Sequence, residues 1–457
     1  MTSNSLRDAD IAYALHPYTN AVAHEQSGPM VAVRGEGVRV FDDAGKDYIE
    51  GMAGLWCTSL GFNEPRLVEA AKRQMEALPF FHMFNHKAHE PGIRLSETLV
   101  QMAPVPMSKA FFCNSGSEAN DTAVKMIWYY HNAIGKPEKK KIIARLRGYH
   151  GVTVAAASLT GLPLNHRSFD LPIDRILHTS CPHHYRYGEA GETEEAFADR
   201  MAADLEALIE REGADTIAAF FAEPVMGAGG VIVPPKTYFE KIQAILKKHD
   251  ILFVADEVIC GFGRTGSMFG SETFGLQPDI MTMAKALSSA YLPISAVLIN
   301  EKVYQGIRGE TGKIGSFGHG YTYSAHPVAA AVANETLKIY AERDIIGHIQ
   351  AVAPRMQARL KALADHPLVG EARGVGLIGA VELVTDKATK ANFDPSQAVG
   401  PRVVNQAQAN GVILRAMAGD IIAFSPPLII SEVEIDQMFD RFEQALNTVT
   451  HEIGAPA

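Results

Sequence analysis

Three places in this sequence set reactive side chains at the end of apolar or small-residue runs. The stretch DIMTMAKALSSAYLP (279–293) holds a single lysine, Lys285, among small, apolar and hydroxylated neighbours. By itself such a lysine reads as a surface residue, its stem along the protein and its head in water, because an unpaired buried ammonium is costly. The run ILFVADEV (251–258) ends in Asp256 and Glu257. A carboxylate at the end of a buried strand takes up a proton unless a cation or several donors hold it ionised. Alone, it reads equally well as a surface acid capping the strand. The stretch FFCNSGSEAND (111–121) gives a strand, a Ser-Gly-Ser turn and a helix opening near Glu118. Ser115, Gly116 and Ser117 offer hydroxyl donors, close backbone approach and the free N–H groups of a helix start, which suit a phosphate. Alone, the same residues make an ordinary helix cap.

The three together describe one kind of chemistry. A lysine amine beside a carbonyl forms an imine, and desolvation keeps that amine nucleophilic. Pyridoxal 5'-phosphate requires such a lysine, an acid on its ring nitrogen and an anion site for its phosphate. In open parallel sheets, ligands lie outside the carboxyl ends of the strands, which is where all three features fall.

The elements that must hold these groups follow from the pattern of the chain. The segment MVAVRGEGVRVFDDAGKDYIEGMAG (30–54) alternates apolar and polar residues around a turn and predicts a small antiparallel sheet. From about residue 64, helical stretches alternate with apolar strands, the signature of a mostly parallel sheet covered on both faces. Strands are expected at the start of SKAFFCN, stopping at Asn114, in KKIIARLRGYHG, in TVAAASLTG (153–161) or its first half, in TIAAFFAEPV, in ILFVADEV and in DIMTMA. Two long helices after residue 327 lead into a smaller α+β region. The expected division is an N-terminal segment 1–63 that joins the small domain, a large ligand-binding domain 64–330 and a small domain 331–457. The fold class is α/β, a mostly parallel central sheet flanked by helices, with the smaller domain built from the chain ends.

Bulk properties exclude several classes of function. The 457 residues are 47% hydrophobic and 21% charged, an ordinary globular composition. A net charge of −10 argues against nucleic acid or an anionic membrane as partner. No stretch approaches the roughly 18 apolar residues of a membrane span. The first twenty residues lack the apolar core of a signal peptide, and Cys57, Cys113, Cys181 and Cys260 form no CxxC pair. A cytoplasmic chain with free thiols is therefore expected. CPHHY (181–185) could suggest a metal through Cys181, His183 and His184, but no second ligand cluster accompanies it and no metal is expected.

The motif set resembles the class III, or omega, aminotransferases of the fold-type I pyridoxal-phosphate enzymes. The resemblance rests on NSGSEAND, GYHG (148–151), EPVMGAGGVIVPP (223–235), VADEVICGFGRTG (254–266), AKALSS (284–289) and GYTYSAHPVAAA (320–331), in the family's order. GMAGLWC (51–57) and LRAMAGDIIAFSPPL (414–428) are most similar to amine:pyruvate and ω-amino acid:pyruvate transaminases. The resemblance implies that Lys285 is the Schiff-base lysine and proton shuttle and that Asp256 partners the pyridinium nitrogen. It further implies that Ser115, Gly116 and Ser117 cradle the phosphate, that Tyr149 and Val258 cover the two ring faces, and that Glu223 stands near the cofactor. Thr322 is implied as a phosphate ligand given to the neighbouring subunit, hence a homodimer with shared sites, or a tetramer built from it. Tyr18, Trp56 and Phe84 match aromatic substrate-wall positions, and Arg415 matches the mobile arginine that grips a substrate carboxylate; outside the resemblance, the three aromatics read as core packing.

Three positions depart from the commoner pattern: Ala286, Ala290 and Ala325 stand where glycine is usual, which bears on substrate range. The expected activity is transamination from an amine or ω-amino acid to a keto acid, pyruvate giving alanine. Another pyridoxal-phosphate reaction on the same scaffold, decarboxylation or an aminomutase reaction, is the alternative.

Overall fold

The fold is read from a computed structural model that describes residues 5–454. Seven strands form the central sheet, in the spatial order Lys109–Cys113, Ser295–Ile299, Ile280–Met283, Leu252–Asp256, Ile217–Ala222, Lys141–Arg145 and Ile176–Thr179. From Ile280–Met283 outward to Ile176–Thr179 the neighbours are parallel. Ser295–Ile299 runs antiparallel to both of its neighbours. Every residue of Ile217–Ala222 and of Leu252–Asp256 is buried, as expected of strands covered on both faces.

The helices owe their place to apolar stripes and caps. Glu194–Glu212 starts at Thr193, whose hydroxyl accepts the Ala196 N–H, and buries Phe197, Met201, Leu205 and Leu208 along one face. Gly116–Ala133 packs across the strands that carry Asp256 and precede Lys285.

The chain ends meet. Ala32–Glu36, Arg39–Asp42 and Asp47–Glu50 form an antiparallel sheet, and Val412–Ile413 adds to it in parallel beside Asp47–Glu50. One residue later the chain enters a second sheet of Val369–Val375, Ile378–Leu383, Ile421–Phe424 and Arg415–Met417. Arg415 therefore sits where the C-terminal strands turn from one sheet to the other.

One expected strand is wrong. In TVAAASLTG, residues Val154–Leu159 are a helix, with Ala156, Ala157, Ser158 and Leu159 buried. Three successive alanines favour helix, and the Asp121 carboxylate accepts the Ala156 N–H at 2.8 Å in its first turn. The helix expected near Glu118 opens earlier, at Gly116. Strands Ile176–Thr179 and Ser295–Ile299 add to those that the pattern predicts. No helix among the described residues is long and apolar enough to cross a membrane.

Candidate active site

Asp256 is the last residue of its strand, and Glu223 directly follows Ile217–Ala222. Lys285 comes two residues after Ile280–Met283, and Ser115 two after Lys109–Cys113. Four strands thus deliver four functional groups to one edge of the sheet.

The Asp256 carboxylate is 3% exposed and firmly held. Its Oδ2 accepts from Asn120 Nδ2 and His150 Nδ1, each at 2.8 Å, and its Oδ1 accepts from the Val258 N–H at 3.0 Å. Asn120 is fixed in turn: its Nδ2 also donates to the His150 carbonyl at 2.7 Å, and its Oδ1 accepts from Thr282 at 2.9 Å. The Oδ1 oxygen keeps acceptor capacity for a protonated ring nitrogen. Asn120, His150 and Thr282 are site residues that the sequence reading does not single out. The first two lie inside quoted motifs, and Asn120 stands one helical turn after Gly116 on the same face.

Glu257, the other acid of the pair, faces away from this network. It is fully buried and accepts from the N–H groups of Gly270 and Ser271 and from the Ser271 hydroxyl, at 3.0, 2.6 and 2.5 Å. Burial pushes it up to about 7. Glu223 accepts the N–H groups of Tyr149 and Gly227, each at 2.9 Å, which ties Tyr149 to the Asp256 neighbourhood. Burial raises its carboxyl above the ordinary range.

Lys285 is half-buried, and its backbone is left-handed at φ 51. Among the described residues its amine makes no hydrogen bond or ion pair; its nearest marked contact is the Trp56 ring, 5.7 Å away. Burial lowers its pKa, against the opposing pull of Cys57, Asp256 and Glu223. A desolvated, unpaired amine of this kind is the nucleophilic form that an imine requires.

The anion cradle is assembled at the start of Gly116–Ala133. Ser115 Oγ accepts the Glu118 N–H at 3.2 Å and Ser117 Oγ accepts the Val152 N–H at 3.1 Å, leaving both hydroxyl hydrogens to donate. A Cβ on Gly116 would lie 2.9 Å from Val258 Cγ1, so glycine lets the helix start lie close against that side chain. A paired acid, a free amine, two hydroxyl donors and a helix N-terminus answer every requirement of pyridoxal 5'-phosphate, and the residues fit that group.

The substrate side is partly assembled in the single chain. Arg415 places its guanidinium 5.3 Å from the Trp56 ring and 5.9 Å from the Tyr18 ring, with no hydrogen bond or ion pair among the described residues. Trp56 is buried, with its indole N–H unpartnered. Tyr18 is 55% exposed, and its hydroxyl accepts from Asn165 at 2.5 Å. Lys285, Trp56, Arg415 and Tyr18 therefore share one aromatic wall. Phe84 does not join it: its ring lies against Gly320, on a groove also lined by Phe317 and His319. Thr322 is exposed in the loop before the helix Pro327–Glu342, with no bond to the cradle among the described residues.

The glycine-type positions divide. Ala290 and Ala325 take left-handed backbone at φ 62 and 53, where glycine is the relaxed choice, whereas Ala286 does not. In CPHHY, His183 bonds Glu371 at 2.8 Å, and that carboxylate is also bound by Arg373, so the histidine belongs to an ion-pair network.

Comparison with known proteins completes the picture. Residues 21–446 match the family described as aminotransferase class-III. A mitochondrial gamma aminobutyrate transaminase 1 from Solanum lycopersicum is 52% identical over 433 residues, covering 94% of this chain and 84% of that protein. The crystal structure of an omega transaminase from Pseudomonas jessenii in complex with PMP is 57% identical, with a TM-score of 0.98 over 99% of this chain and 100% of that one. A transaminase solved with L-alanine is 62% identical, with a TM-score of 0.91 over 93% of this chain and 100% of that one.

Proposed function

We propose, since this chain belongs to the class-III aminotransferases and is a pyridoxal-phosphate-dependent transaminase, that its donors are ω-amino acids and uncharged primary amines and its acceptor is pyruvate. The observation that carries the proposal is the shared wall: the free Lys285 amine and the free Arg415 guanidinium both face Trp56, at 5.7 and 5.3 Å. A donor whose amine reaches Lys285 can then set its far carboxylate on Arg415 through paired charge-assisted bonds.

Bound here, pyridoxal 5'-phosphate supplies an imine-forming carbonyl and a pyridinium ring that stores the electron pair left by C–H cleavage. The chain's residues do the rest. Asp256, held by His150 and Asn120, keeps a proton on the ring nitrogen. Ser115, Gly116 and Ser117 anchor the phosphate, and Tyr149 and Val258 fix the ring plane. The Lys285 amine, free once a donor amine has replaced it on the cofactor, would take the proton from the donor carbon and return it to the carbon on the other side of the nitrogen. Two half-reactions, ketone or aldehyde out and then keto acid in, use the same lysine and the same wall in a ping-pong order.

The support for the donor and acceptor comes from the relatives. The tomato enzyme named for γ-aminobutyrate makes that compound the first donor to try, and the structure solved with L-alanine points to the pyruvate–alanine couple. When no carboxylate is present, Arg415 can turn toward Tyr18 and leave the wall to an arylalkylamine.

We assign the active assembly as a homodimer. Phe84, 40% exposed, lines a groove of about 1270 Å³; Phe80 and Tyr323, 40% and 59% exposed, stack edge-on against each other, and the exposed Thr322 next to Tyr323 makes no hydrogen bond among the described residues. The division at 63 and 330 belongs to the same reading: all seven central strands lie between residues 109 and 299. Four free cysteines support a cytoplasmic location.

The test is optical. Adding γ-aminobutyrate or an arylalkylamine to the yellow holoenzyme should bleach it, and pyruvate should restore the colour with alanine as product. Release of carbon dioxide, or turnover without any keto acid, would assign a different reaction.

A further inference from the structure

Trp56 lines the substrate wall from a backbone that does not hold itself. Residues 53–56 carry Ala53 at φ 46, Gly54 at φ 66 and ψ −93, Leu55 at φ −128 and ψ 62, and Trp56 at φ 59. Two of these are non-glycine residues in the left-handed region, a conformation that persists only when the surroundings over-determine it.

The surroundings can be named. At one end, Gly51 donates to the Ile413 carbonyl at 2.9 Å, and its own carbonyl accepts from Ser425 at 2.7 Å, which anchors the loop beside the strand that carries Arg415. At the other end, the Leu60 N–H donates to Ser289 Oγ at 2.9 Å, on the loop that carries Lys285. Between these anchors, Glu50 reaches into the loop. It is the last residue of its strand, 5% exposed, and its Oε2 accepts the Gly54 N–H. The Met52 N–H also points at this carboxyl.

We propose that Glu50 is a positioning residue that sets the orientation of Trp56, and through it which donors the substrate wall accepts. Glu50 touches neither substrate nor cofactor. It acts by giving the Gly54 N–H the acceptor that the strained turn otherwise lacks. Without that acceptor, the N–H of exposed Gly54 turns to water, nothing ties the turn to the core, and a loop whose neighbours already favour another backbone relaxes. The indole then leaves the position that now lies between Lys285 and Arg415. Burial pushes the Glu50 carboxyl up to about 8, against the opposing charge of buried Arg264. A residue so costly to bury, held on backbone N–H groups, marks a place where loop geometry is being enforced.

The donor-range part of this inference rests on the function proposed above, so the experiment has one arm that does not. Trp56 and Trp128 are the two tryptophans of the chain. In a Trp128→Phe background, acrylamide quenching of the holoenzyme reports Trp56 alone, whose side chain is now 3% exposed. Glu50→Ala should raise the quenching constant about twofold or more. In the original background it should change the ratio of kcat/KM for an arylalkylamine to kcat/KM for γ-aminobutyrate by about tenfold, mostly through KM. Glu50→Gln, which keeps the acceptor oxygen, should restore both readings toward wild type. Glu50→Asp keeps the acid but withdraws it from Gly54; it should move both readings in the same direction as Glu50→Ala, and it takes over the test where the alanine variant does not fold. Unchanged quenching in Glu50→Ala or Glu50→Asp overturns the proposal, whatever the donors do. If the wild type uses neither donor, the quenching arm still decides the role of Glu50.

Discussion

The cofactor socket and the substrate wall meet at Lys285 but are built in opposite ways. In the socket, Asp256 is buried and bonded on both oxygens, its partner His150 is buried, and Asn120 is locked by Thr282. Side chain after side chain there has one available arrangement. On the wall, Arg415 has no bonded partner among the described residues, and the Trp56 indole N–H has none. Tyr18 hangs from a segment whose two helices, Leu6–Tyr13 and Ala21–Ser27, bury no residue. The contrast has a chemical reason. The ring nitrogen and phosphate of the cofactor are the same in every turnover, so fixed groups serve them best. The donors proposed here differ in charge and bulk, and a wall of loosely tied groups can meet several of them.

The contrast breaks most visibly if socket mutations turn out mild. Asp256→Asn should lower kcat about a thousandfold while cofactor stays bound to Lys285, as seen by retained colour. Next in size is a wall mutation that should depend on the donor. A charge-assisted bond is worth roughly 1.5–3 kcal/mol, so Arg415→Leu should cut kcat/KM for γ-aminobutyrate by about ten- to a hundredfold. The same variant should leave an arylalkylamine within about threefold, because a neutral donor has nothing to lose there. Equal loss for both donors would mean that the wall is held as rigidly as the socket.

A smaller effect sharpens the comparison at Glu50, the point where the wall is held from within the core. Its carboxyl stays neutral in the folded chain up to about 8, whereas an unfolded chain ionises it near 4.5. Its contribution to stability is therefore complete below pH 4.5 and is lost as the pH rises toward about 8. Denaturant unfolding at about pH 5 and about pH 8 should show a larger loss for wild type than for Glu50→Gln, which cannot ionise. The smallest change is expected at Ala290, exposed and left-handed at φ 62. Glycine there should stabilise the protein by about 0.5 kcal/mol, the relief of a left-handed alanine less the entropy of glycine in the unfolded chain.

Much of the socket was legible in the sequence because strand ends in a parallel sheet face one edge. Knowing that ILFVAD and DIMTM are strands is enough to bring Asp256 and Lys285 together. His150 and Asn120 were not legible as partners, because their roles come from contacts across 106 and 136 residues that no local pattern encodes; Glu50 contacts Gly54 only 4 residues on, but through a turn of irregular backbone that no helix or strand period marks. The helix Val154–Leu159 misled because alanine fills strands and helices alike, and the Asp121 carboxylate that accepts in its first turn comes from another helix. Ala290 and Ala325 show the reverse case: unusual residue types flagged two left-handed positions before any backbone angle was known. Phe84 and Thr322 lie apart from Lys285 in the single chain: Phe84 sits against Gly320, and Thr322 is exposed.

The central claim is that the unpaired amine of Lys285 holds pyridoxal 5'-phosphate. Borohydride reduction of the holoenzyme, followed by digestion and mass spectrometry, tests it directly. The account predicts one phosphopyridoxyl group per chain, on the peptide that contains Lys285, and none after Lys285→Ala. A modified peptide lacking Lys285, or equal labelling of the alanine variant, would contradict it.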